Sequence, residues 1–276
     1  IKENLSITWL PEQKPFSFLA DPFGIWKNDN LYVFVEAYDY RDKIGYIKCF
    51  IYDRDLKLMD QGIALKEDFH LSYPFIFEDN NEIYLIPESF RAKKMSIYKA
   101  VEFPYKWQKI KDIFNDEEVI DASFIKFNDK YWAFYSLNGA EKRQDKELYI
   151  AHSESLFGKW VKHPLNPVRI DITSSRPGGR PFVFNDNVYI PTQDCSKTYG
   201  GGLSINKIIF DENSFKCEVV RRIPHDIWHN NYIDGMHTIS GCGDFTLIDV
   251  KKIDSSSYRF FINLQRRIRR FANKIF

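Results

Sequence analysis

Apolar, aromatic-rich stretches bounded by polar residues recur along most of the chain, and each pair is joined by a short polar turn. Strong β-formers on both sides of an Asn/Asp or Gly turn indicate a β-hairpin. Five such hairpins are predicted, with turns at Asn28-Asp29-Asn30, Asn80-Asn81-Glu82, Asn128-Asp129-Lys130, Asn185-Asp186-Asn187 and Gly241-Cys242-Gly243.

The opening unit of each hairpin is also repeated. The five units are Asp21-Pro22-Phe23, Tyr73-Pro74-Phe75, Ala122-Ser123-Phe124, Arg180-Pro181-Phe182 and Met236-His237-Thr238. Their central residues lie 52, 49, 58 and 56 residues apart, which is the spacing of propeller blades. β-rich segments between the hairpins supply outer strands, at 46–52, 95–99, 148–152, 204–210 and 216–222. The sequence therefore predicts an all-β, five-bladed β-propeller over residues 1–256.

Helical periodicity is concentrated at the C-terminus, where residues 257–276 are predicted to form a basic amphipathic helix. Apolar positions recur at Phe260, Phe261, Leu264, Ile268, Phe271 and Ile275. Basic positions fill the other face at Arg259, Arg266, Arg267, Arg269, Arg270 and Lys274. Two interpretations stay open. The apolar stripe either packs on the propeller and closes it, or lies on an anionic membrane surface.

Composition limits the classes of function. A chain of 276 residues that is 44% hydrophobic and 17% aromatic can bury the core of one domain. The net charge of +1 predicts no general attraction to polyanions, so nucleic acid is not an expected partner. The four cysteines form no Cys-x-x-Cys pair, and no apolar run reaches the length of a membrane span. We therefore expect a cytoplasmic protein, attached peripherally to the inner face of the membrane if the helix binds lipid.

Hairpin geometry predicts which polar residues meet. Residues equidistant from a turn lie side by side at the open end of a hairpin. This counting sets Asp21 opposite Ala37 and beside Glu36, and it pairs Tyr73 with Glu88, Asp121 with Ser136, Arg180 with Gln193 and His237 with Asp249. Radial packing of the hairpins then predicts a polar ring at one mouth of the channel, made of Asp21, Glu36, Glu88, Asp121, Arg180, Gln193 and His237.

A ring of carboxylates with an arginine suits chemistry on sugars. Glycosidic bonds are made or broken by a pair of carboxyl groups, one handling a proton and the other acting as base or nucleophile. The candidate catalytic residues are Asp21, Asp121, Glu36 and Glu88. The candidate substrate-binding residues are Arg180, Gln193, Asp194, Tyr199, His237 and Tyr73; Asp194 and Tyr199 belong to a Gly-rich segment, residues 193–202, that follows the fourth hairpin. No metal site or bound cofactor is predicted, and a nucleotide sugar would be a substrate.

Several of these short units resemble a known group. Asp21-Pro22, Asp121, Arg180-Pro181 and His237 resemble the inner-strand residues of the five-bladed furanosidase-type glycoside hydrolases, which include arabinanases, xylosidases and fructosidases. The units Ala20-Asp21-Pro22-Phe23, Gly179-Arg180-Pro181-Phe182 and Asp234-Gly235-Met236-His237-Thr238 are more similar to the N-terminal propeller domain of glucosamine inositolphosphorylceramide transferases and its stand-alone bacterial relatives.

The resemblance implies roles for individual residues. Asp21 would be the base or nucleophile, and His237 would be a channel residue. The chain departs from the hydrolase pattern at Ser72-Tyr73-Pro74, where a pKa-tuning Asp is expected, and at Asp121, where the general acid is a Glu. A transferase that uses an activated donor needs a strong acid less, because Arg180 could neutralise the phosphate leaving group. A glycosyltransferase of surface polysaccharide or glycolipid assembly is therefore expected, with a sugar or glycan substrate and a lipid-linked acceptor. The alternatives are a furanosidase-like hydrolase and a non-catalytic glycan-binding propeller.

Overall fold

The computed structural model describes residues 6–224, 231–253 and 258–272, and nearly all regular structure in these ranges is β. The strands in chain order are β1 (Ser17–Lys27), β2 (Asn30–Asp39), β3 (Gly45–Tyr52), β4 (Leu58–Leu65), β5 (Ser72–Asp79), β6 (Glu82–Glu88), β7 (Met95–Glu102), β8 (Lys106–Ile113), β9 (Val119–Phe127), β10 (Lys130–Leu137), β11 (Glu147–Ser153), β12 (Val161–Lys162), β13 (Arg169–Ile170), β14 (Phe182–Phe184), β15 (Asn187–Gln193), β16 (Leu203–Phe210), β17 (Phe215–Ile223), β18 (Ile239–Cys242) and β19 (Phe245–Ile248). The helices are α1 (Arg143–Lys146) and α2 (Tyr258–Ala272), with 3₁₀ turns at Phe90–Ala92 and Ala140–Lys142.

These strands form antiparallel sheets that follow one another along the chain. The first sheet runs β1-β2-β3-β4, the second β5-β6-β7-β8 and the fourth β14-β15-β16-β17. The third runs β9-β10-β11, and β11 then pairs with both β12 and β13. Meandering sheets of this kind, each with its first strand innermost, are the blades of a β-propeller. The predicted all-β propeller is confirmed.

The predicted number of blades is wrong, because the structure has four and not five. The fifth hairpin, β18-β19, remains a two-stranded sheet in the part of the chain that the structure describes. Only nine residues, 249–257, separate β19 from the start of α2. Two further strands of about five residues each, with their turns, do not fit into that length. The hairpin instead packs on β1 and closes the ring between the first and fourth blades.

The hairpin turns explain why the repeat was visible in the sequence. In four hairpins both central residues have positive φ: Asn28-Asp29, Asn80-Asn81, Asn128-Asp129 and Asn185-Asp186. This is the type I′ turn, which favours Asn and Asp because they tolerate the left-handed conformation. The fifth turn lies at Gly243-Asp244, between Cys242 and Phe245, and not at the predicted Gly241-Cys242-Gly243.

Apolar side chains between neighbouring blades form the core. The largest cluster joins the first three blades through inner-strand aromatics such as Phe23, Phe75 and Phe124. The two-stranded sheet contacts the first blade closely at Gly24, where an added Cβ would lie 2.7 Å from Leu247. It meets the fourth blade at Gly179, whose φ of 141° and close approach to Ile239 require glycine.

The helix α2 matches the predicted C-terminal helix over residues 258–272. Ser257 and residues 273–276, including Lys274 and Ile275, lie outside the described residues. The division at residue 256 between a propeller domain and a helical domain stays a prediction. Within the described ranges, no helix is long and apolar enough to span a membrane.

Candidate active site at the channel mouth

The inner strands of the first three blades share a local distortion. Asp21, Tyr73 and Asp121 have φ values of 53°, 44° and 49°. Each lies where the register between inner strand and partner shifts. Such β-bulges turn a side chain away from its regular position, and they are common beside active sites. The bulges therefore redirect three residues of the predicted ring.

Each bulge is held by a carboxylate. The N–H of Asp21 donates to Asp249 Oδ2 at 3.1 Å, and the N–H of Tyr73 donates to Asp21 Oδ2 at 3.2 Å. The N–H of Asp121 donates to Glu88 Oε2 at 2.8 Å. In each case the carboxylate comes from the preceding unit of the ring. These hydrogen bonds offset the cost of placing a non-glycine residue in the left-handed region.

Asp21 lies at the centre of the site and is 5% exposed. Thr238 Oγ1 donates to its Oδ1 at 2.8 Å, and Tyr73 N–H donates to its Oδ2, so both oxygens are fixed. Burial raises the pKa of Asp21 to about 6, although the nearby His237 acts in the opposite direction. Asp21 is therefore a fixed carboxylate that is mostly ionised at neutral pH.

His237 and Asp249 form an ion pair beside Asp21. His237 Nδ1 donates to Asp249 Oδ2 at 2.5 Å, and His237 Nε2 lies 3.6 Å from Asp21 Oδ1. Burial lowers the pKa of His237, but Asp249 and Asp21 outweigh burial and raise the pKa to about 9. The imidazole is therefore protonated at neutral pH and lies between two carboxylates.

Asp121 is paired with an arginine that the sequence analysis did not choose. Arg176 Nε donates to Asp121 Oδ2 at 2.8 Å, and Arg176 Nη1 donates to Asp145 Oδ1 at 3.2 Å. Gln193 Nε2 donates to the same Oδ2 of Asp121 at 2.6 Å. Burial alone would lower the pKa of Arg176, but Asp121 and the other acids raise it well above the usual value. Arg176 is thus a buried cation shared by two carboxylates.

Glu36 and Glu88 are also buried in this site. Burial, followed by repulsion from neighbouring carboxylates, raises the pKa of both well above the usual range. Glu88 accepts hydrogen bonds from Ser72 Oγ and from the N–H of Asp121. Glu36 Oε1 lies 3.6 Å from His70 Nε2. The site therefore combines carboxyl groups that differ in how strongly they hold a proton.

His70 is neutral and oriented towards Glu36. Burial lowers the pKa of His70 to about 4. Its Nδ1 accepts a hydrogen bond of 2.8 Å from the N–H of Gly45, so its proton is on Nε2, the nitrogen that faces Glu36. Glu36 thus has a neutral donor beside it and not a cation.

The expected ring member Arg180 lies elsewhere. Its Nη2 donates to the carbonyls of Gly24 and Ile76, and its guanidinium lies over the rings of Phe23 and Phe75. Burial lowers the pKa of Arg180 to about 10. Arg180 therefore lines the apolar channel below the mouth, and Arg176 takes the place that the sequence analysis gave it.

A counting error explains the exchange. The turn at Asn185-Asp186 has two residues, so strict counting sets Gln193 opposite residue 178. Thr192 in fact pairs with Pro177, and the N–H of Gln193 donates to Arg176 O. Correct counting would thus have excluded Arg180, but the further shift of two residues that brings Arg176 beside Gln193 has no signal in the sequence.

The four other predicted binding residues besides His237 have different positions. Gln193 contacts Asp121 at the site, as described above. Tyr73 is 1% exposed and its hydroxyl bonds to Ser123 and Gly179, so its ring cannot stack on a sugar. Asp194 lies in the Gly-rich segment, where it accepts hydrogen bonds from Ser196. Tyr199 is 45% exposed and packs on Arg176 and His237, so it stands at the opening of the site.

Besides Arg176, three residues of the site were not predicted as functional: Asp249, Asp145 and His70. Asp249 could have been included, because hairpin counting already placed it opposite His237. Asp145 lies in the short helix α1, and His70 lies in the link between β4 and β5. No repeat or motif marks either of them, since their positions depend on how loops fold back over the mouth.

One trio has the composition of a metal site. A donor atom from each of Asp21, His237 and Asp249 lies within 4.8 Å of the others. A metal requires a neutral imidazole with a free nitrogen. Here Nδ1 donates to Asp249, and the carboxylates favour the protonated ring. The geometry therefore fits a charge-paired hydrogen-bonded group better than a set of metal ligands.

Solved structures with a similar fold are glycoside hydrolases. A family 117 glycoside hydrolase from Zobellia galactanivorans has a TM-score of 0.58 and 14% identity, covering 75% of this chain and 70% of that one. A thermostable family-43 glycoside hydrolase has a TM-score of 0.55 and 19% identity, covering 75% and 76%. An α-L-arabinanase of Cellvibrio cellulosa has a TM-score of 0.52 and 12% identity, covering 72% and 77%. These matches show a glycosidase-like propeller fold.

The sequence relatives identify a family, whereas the solved structures show only a fold. Glucosamine inositolphosphorylceramide transferase 1 of Oryza sativa subsp. indica is 37% identical over 202 residues, and that of Arabidopsis thaliana is 34% identical over 200 residues. Each match covers 70% of this chain but 26% of the relative, so the chain spans about a quarter of the length of these relatives. The family model for the N-terminal part of glucosamine inositolphosphorylceramide transferase 1 matches residues 8–261. Together with the fold, this match confirms the expected resemblance: the chain belongs to the glucosamine inositolphosphorylceramide transferase 1 N-terminal family.

Proposed function

We propose that the channel mouth binds a sugar and catalyses glycosyl transfer from an activated donor to an acceptor hydroxyl, in the assembly of a glycolipid or surface polysaccharide. One observation carries the proposal. A fixed, ionisable carboxylate, Asp21, shares a buried site with carboxyl groups whose pKa is raised. Carboxyl groups in two protonation states are what glycosyl chemistry requires.

Asp21 acts as the base. Its Oδ atoms are fixed by Thr238 and Tyr73, and its pKa of about 6 leaves it ionised yet basic at neutral pH. The proton of the acceptor hydroxyl moves to Asp21 as the acceptor oxygen attacks the anomeric carbon. The bond from that carbon to the leaving group breaks, and its electron pair leaves with the departing group.

Glu36 acts as the proton donor to the leaving group. Arg180 was expected to neutralise the charge of the leaving group, but its guanidinium donates to backbone carbonyls below the mouth. Arg176 and His237 are already paired with carboxylates. A protonated carboxyl is then the group that can meet developing negative charge. Glu88 is engaged through both oxygens, which leaves Glu36 as the better donor.

The relatives support transfer through their names, and the fold neighbours support hydrolysis. The names describe whole proteins of which this chain covers about a quarter, so the chemistry assigned to the propeller depends on its own carboxylates. The acceptor in the relatives' names is a phosphoinositol lipid. Such a lipid and neutral oligosaccharides are therefore the acceptors to be compared.

The test is a mass-spectrometric assay of nucleotide sugars with a phosphoinositol-ceramide acceptor or with oligosaccharides. Wild type should form a glycosylated acceptor. Asp21→Asn should lower turnover by about 10²-fold or more, with little change in melting temperature, and Glu36→Gln should also lower it. Asp129→Asn, an isosteric change in a distant turn, is the matched control and should keep full activity.

Three results would contradict the proposal. Release of free sugar from oligosaccharides without a nucleotide donor would identify a hydrolase. Glycan binding that survives Asp21→Asn, with no turnover under any condition, would identify a binding propeller. Normal turnover in Asp21→Asn would remove Asp21 from the chemistry.

A further inference from the structure

The helix α2 exposes its apolar side chains. Phe260 is 67% exposed, Phe261 57% and Leu264 43%. These residues are on the stripe that the sequence pattern predicted for packing or for lipid. Within the part of the stripe that the structure describes, these side chains are open to solvent, which favours the second interpretation over the one in which the stripe closes the propeller. An exposed stripe of large apolar side chains indicates a binding surface.

The charge of the chain is unevenly distributed. Residues 258–276 carry five arginines and one lysine, with no Asp or Glu. The whole chain has 39 basic and 38 acidic residues, so residues 1–257 have 33 basic and 38 acidic ones. The C-terminal segment is therefore strongly cationic on a body that is net acidic. An anionic surface is therefore attracted by the helix and not by the body.

Helical register separates the two kinds of residue. At 100° per residue, the sequence pattern predicts that the apolar positions share one face of this helix and that most basic positions share the other. A helix with large apolar residues on one face and arginines on the other is the form that lies in the interface of a bilayer. The apolar face enters the acyl boundary while the arginines contact anionic headgroups.

We propose that α2 docks this protein on an anionic lipid bilayer through Phe260, Phe261 and Leu264, with the arginines of residues 258–276 binding acidic headgroups. The proposal does not depend on the chemistry of the channel mouth. It does mean that the propeller works beside a membrane, where a lipid-linked substrate would be presented.

The experiment is co-sedimentation of the full chain with vesicles of phosphatidylcholine, alone or mixed with phosphatidylserine, at low and high salt. Binding should need phosphatidylserine and should weaken at high salt, because each basic residue near the surface contributes about fivefold to binding. Phe260→Ala/Phe261→Ala should lower binding at least about tenfold, because two large apolar groups no longer enter the bilayer.

Matched controls lie on the body of the protein. Phe184 in β14 is 60% exposed, so Phe184→Ala removes an equally open phenylalanine and should leave vesicle binding unchanged. Arg267→Glu should weaken binding, whereas Lys197→Glu, the same charge reversal at an exposed loop position, should not. Circular dichroism of every variant verifies that the fold is retained.

The proposal is overturned if the wild-type chain stays in the supernatant with phosphatidylserine vesicles at low salt. It is also overturned if Phe184→Ala reduces binding as much as Phe260→Ala/Phe261→Ala. If light scattering shows a dimer that the double variant dissociates, and no vesicle binding, then the apolar stripe binds a second copy of the chain and not lipid.

Discussion

The channel has one buried arginine at its mouth and another just below it, and the pKa values of the two are shifted in opposite directions. At the mouth, Arg176 is bound by Asp121 and Asp145, and its pKa is raised. Below the mouth, Arg180 has carbonyl and aromatic partners, and burial lowers its pKa to about 10. The two arginines are four residues apart in the sequence and belong to the same blade.

The different partners of the two arginines reflect different roles of the mouth and of the channel wall. Charged groups at the mouth are numerous, and each of the cations Arg176 and His237 lies near two carboxylates, so these groups depend on one another. The channel wall holds a single guanidinium between phenylalanines, where carbonyl dipoles replace a counter-ion. Buried matched charges favour one arrangement of side chains and a defined site, whereas a cation among aromatic rings mainly fills space and satisfies carbonyls. Substitutions should therefore have very different effects in the two regions.

The largest effect is expected at Arg176. Arg176→Met keeps much of the side-chain volume but leaves Asp121 and Asp145 buried without a cation. Breaking a buried ion pair in this way costs about 3–5 kcal/mol of unfolding free energy. Chemical denaturation of wild type and variant at neutral pH measures the difference.

A double variant sharpens this result. Arg176→Met/Asp121→Asn removes both partners, so it should recover part of the stability lost in Arg176→Met, because the uncompensated charge at Asp121 is gone. An additive loss in the double variant would mean that Arg176 contributes through packing on Tyr199 and not through its charge.

The second effect concerns pH. The pKa of His237 is raised from its ordinary 6.5 to about 9 by Asp249 and Asp21, against the effect of burial. Its contribution to stability is therefore complete below pH 6.5 and is lost as the pH rises through 9, by up to about 3 kcal/mol. Unfolding free energies measured across this range should fall more steeply in wild type than in His237→Gln, which keeps only the slope of the carboxyl groups with raised pKa, such as Glu36 and Glu88.

His70→Gln is the control for this slope. The pKa of His70 is about 4, so it does not titrate between pH 6.5 and 9. The His70 variant should keep the wild-type slope even if it is less stable overall. A slope in His237→Gln that is as steep as in wild type would show that His237 does not contribute to the pH dependence.

The sequence predicted the parts of this comparison that depend on local structure. Hairpin turns were predicted from Asn and Asp pairs, since type I′ turns demand such residues, and four of five turns agree with the structure. The bulges at Asp21, Tyr73 and Asp121 were not predicted, because an extra residue in a strand leaves no mark in the apolar pattern. Their effect is a shift of one residue in the pairing: Glu88 pairs with Ser72 and not with Tyr73.

The fifth blade and the arginine at the mouth were mispredicted for related reasons. Repeat spacing gives the number of hairpins but not how many outer strands each one acquires, and the chain has too few residues between β19 and α2. Arg180 was chosen because it opens the repeated unit. In the structure, the preceding residues 176–179 occupy the inner position of the fourth blade, and Gly179 has a positive φ there. Loop residues such as Asp145 could not be placed without the fold.

The smallest effect is expected at Arg180, and it completes the comparison. Arg180→Met removes a buried cation that has no carboxylate partner among the described residues. The variant loses hydrogen bonds to the carbonyls of Gly24 and Ile76, but it also loses the cost of burying the charge, and methionine packs well between Phe23 and Phe75. The net change in unfolding free energy should stay within about 1 kcal/mol, measured in the same denaturation series as Arg176→Met. If Arg180→Met is as destabilising as Arg176→Met, the channel arginine depends on its charge as much as the mouth arginine does, and the distinction between the two regions fails.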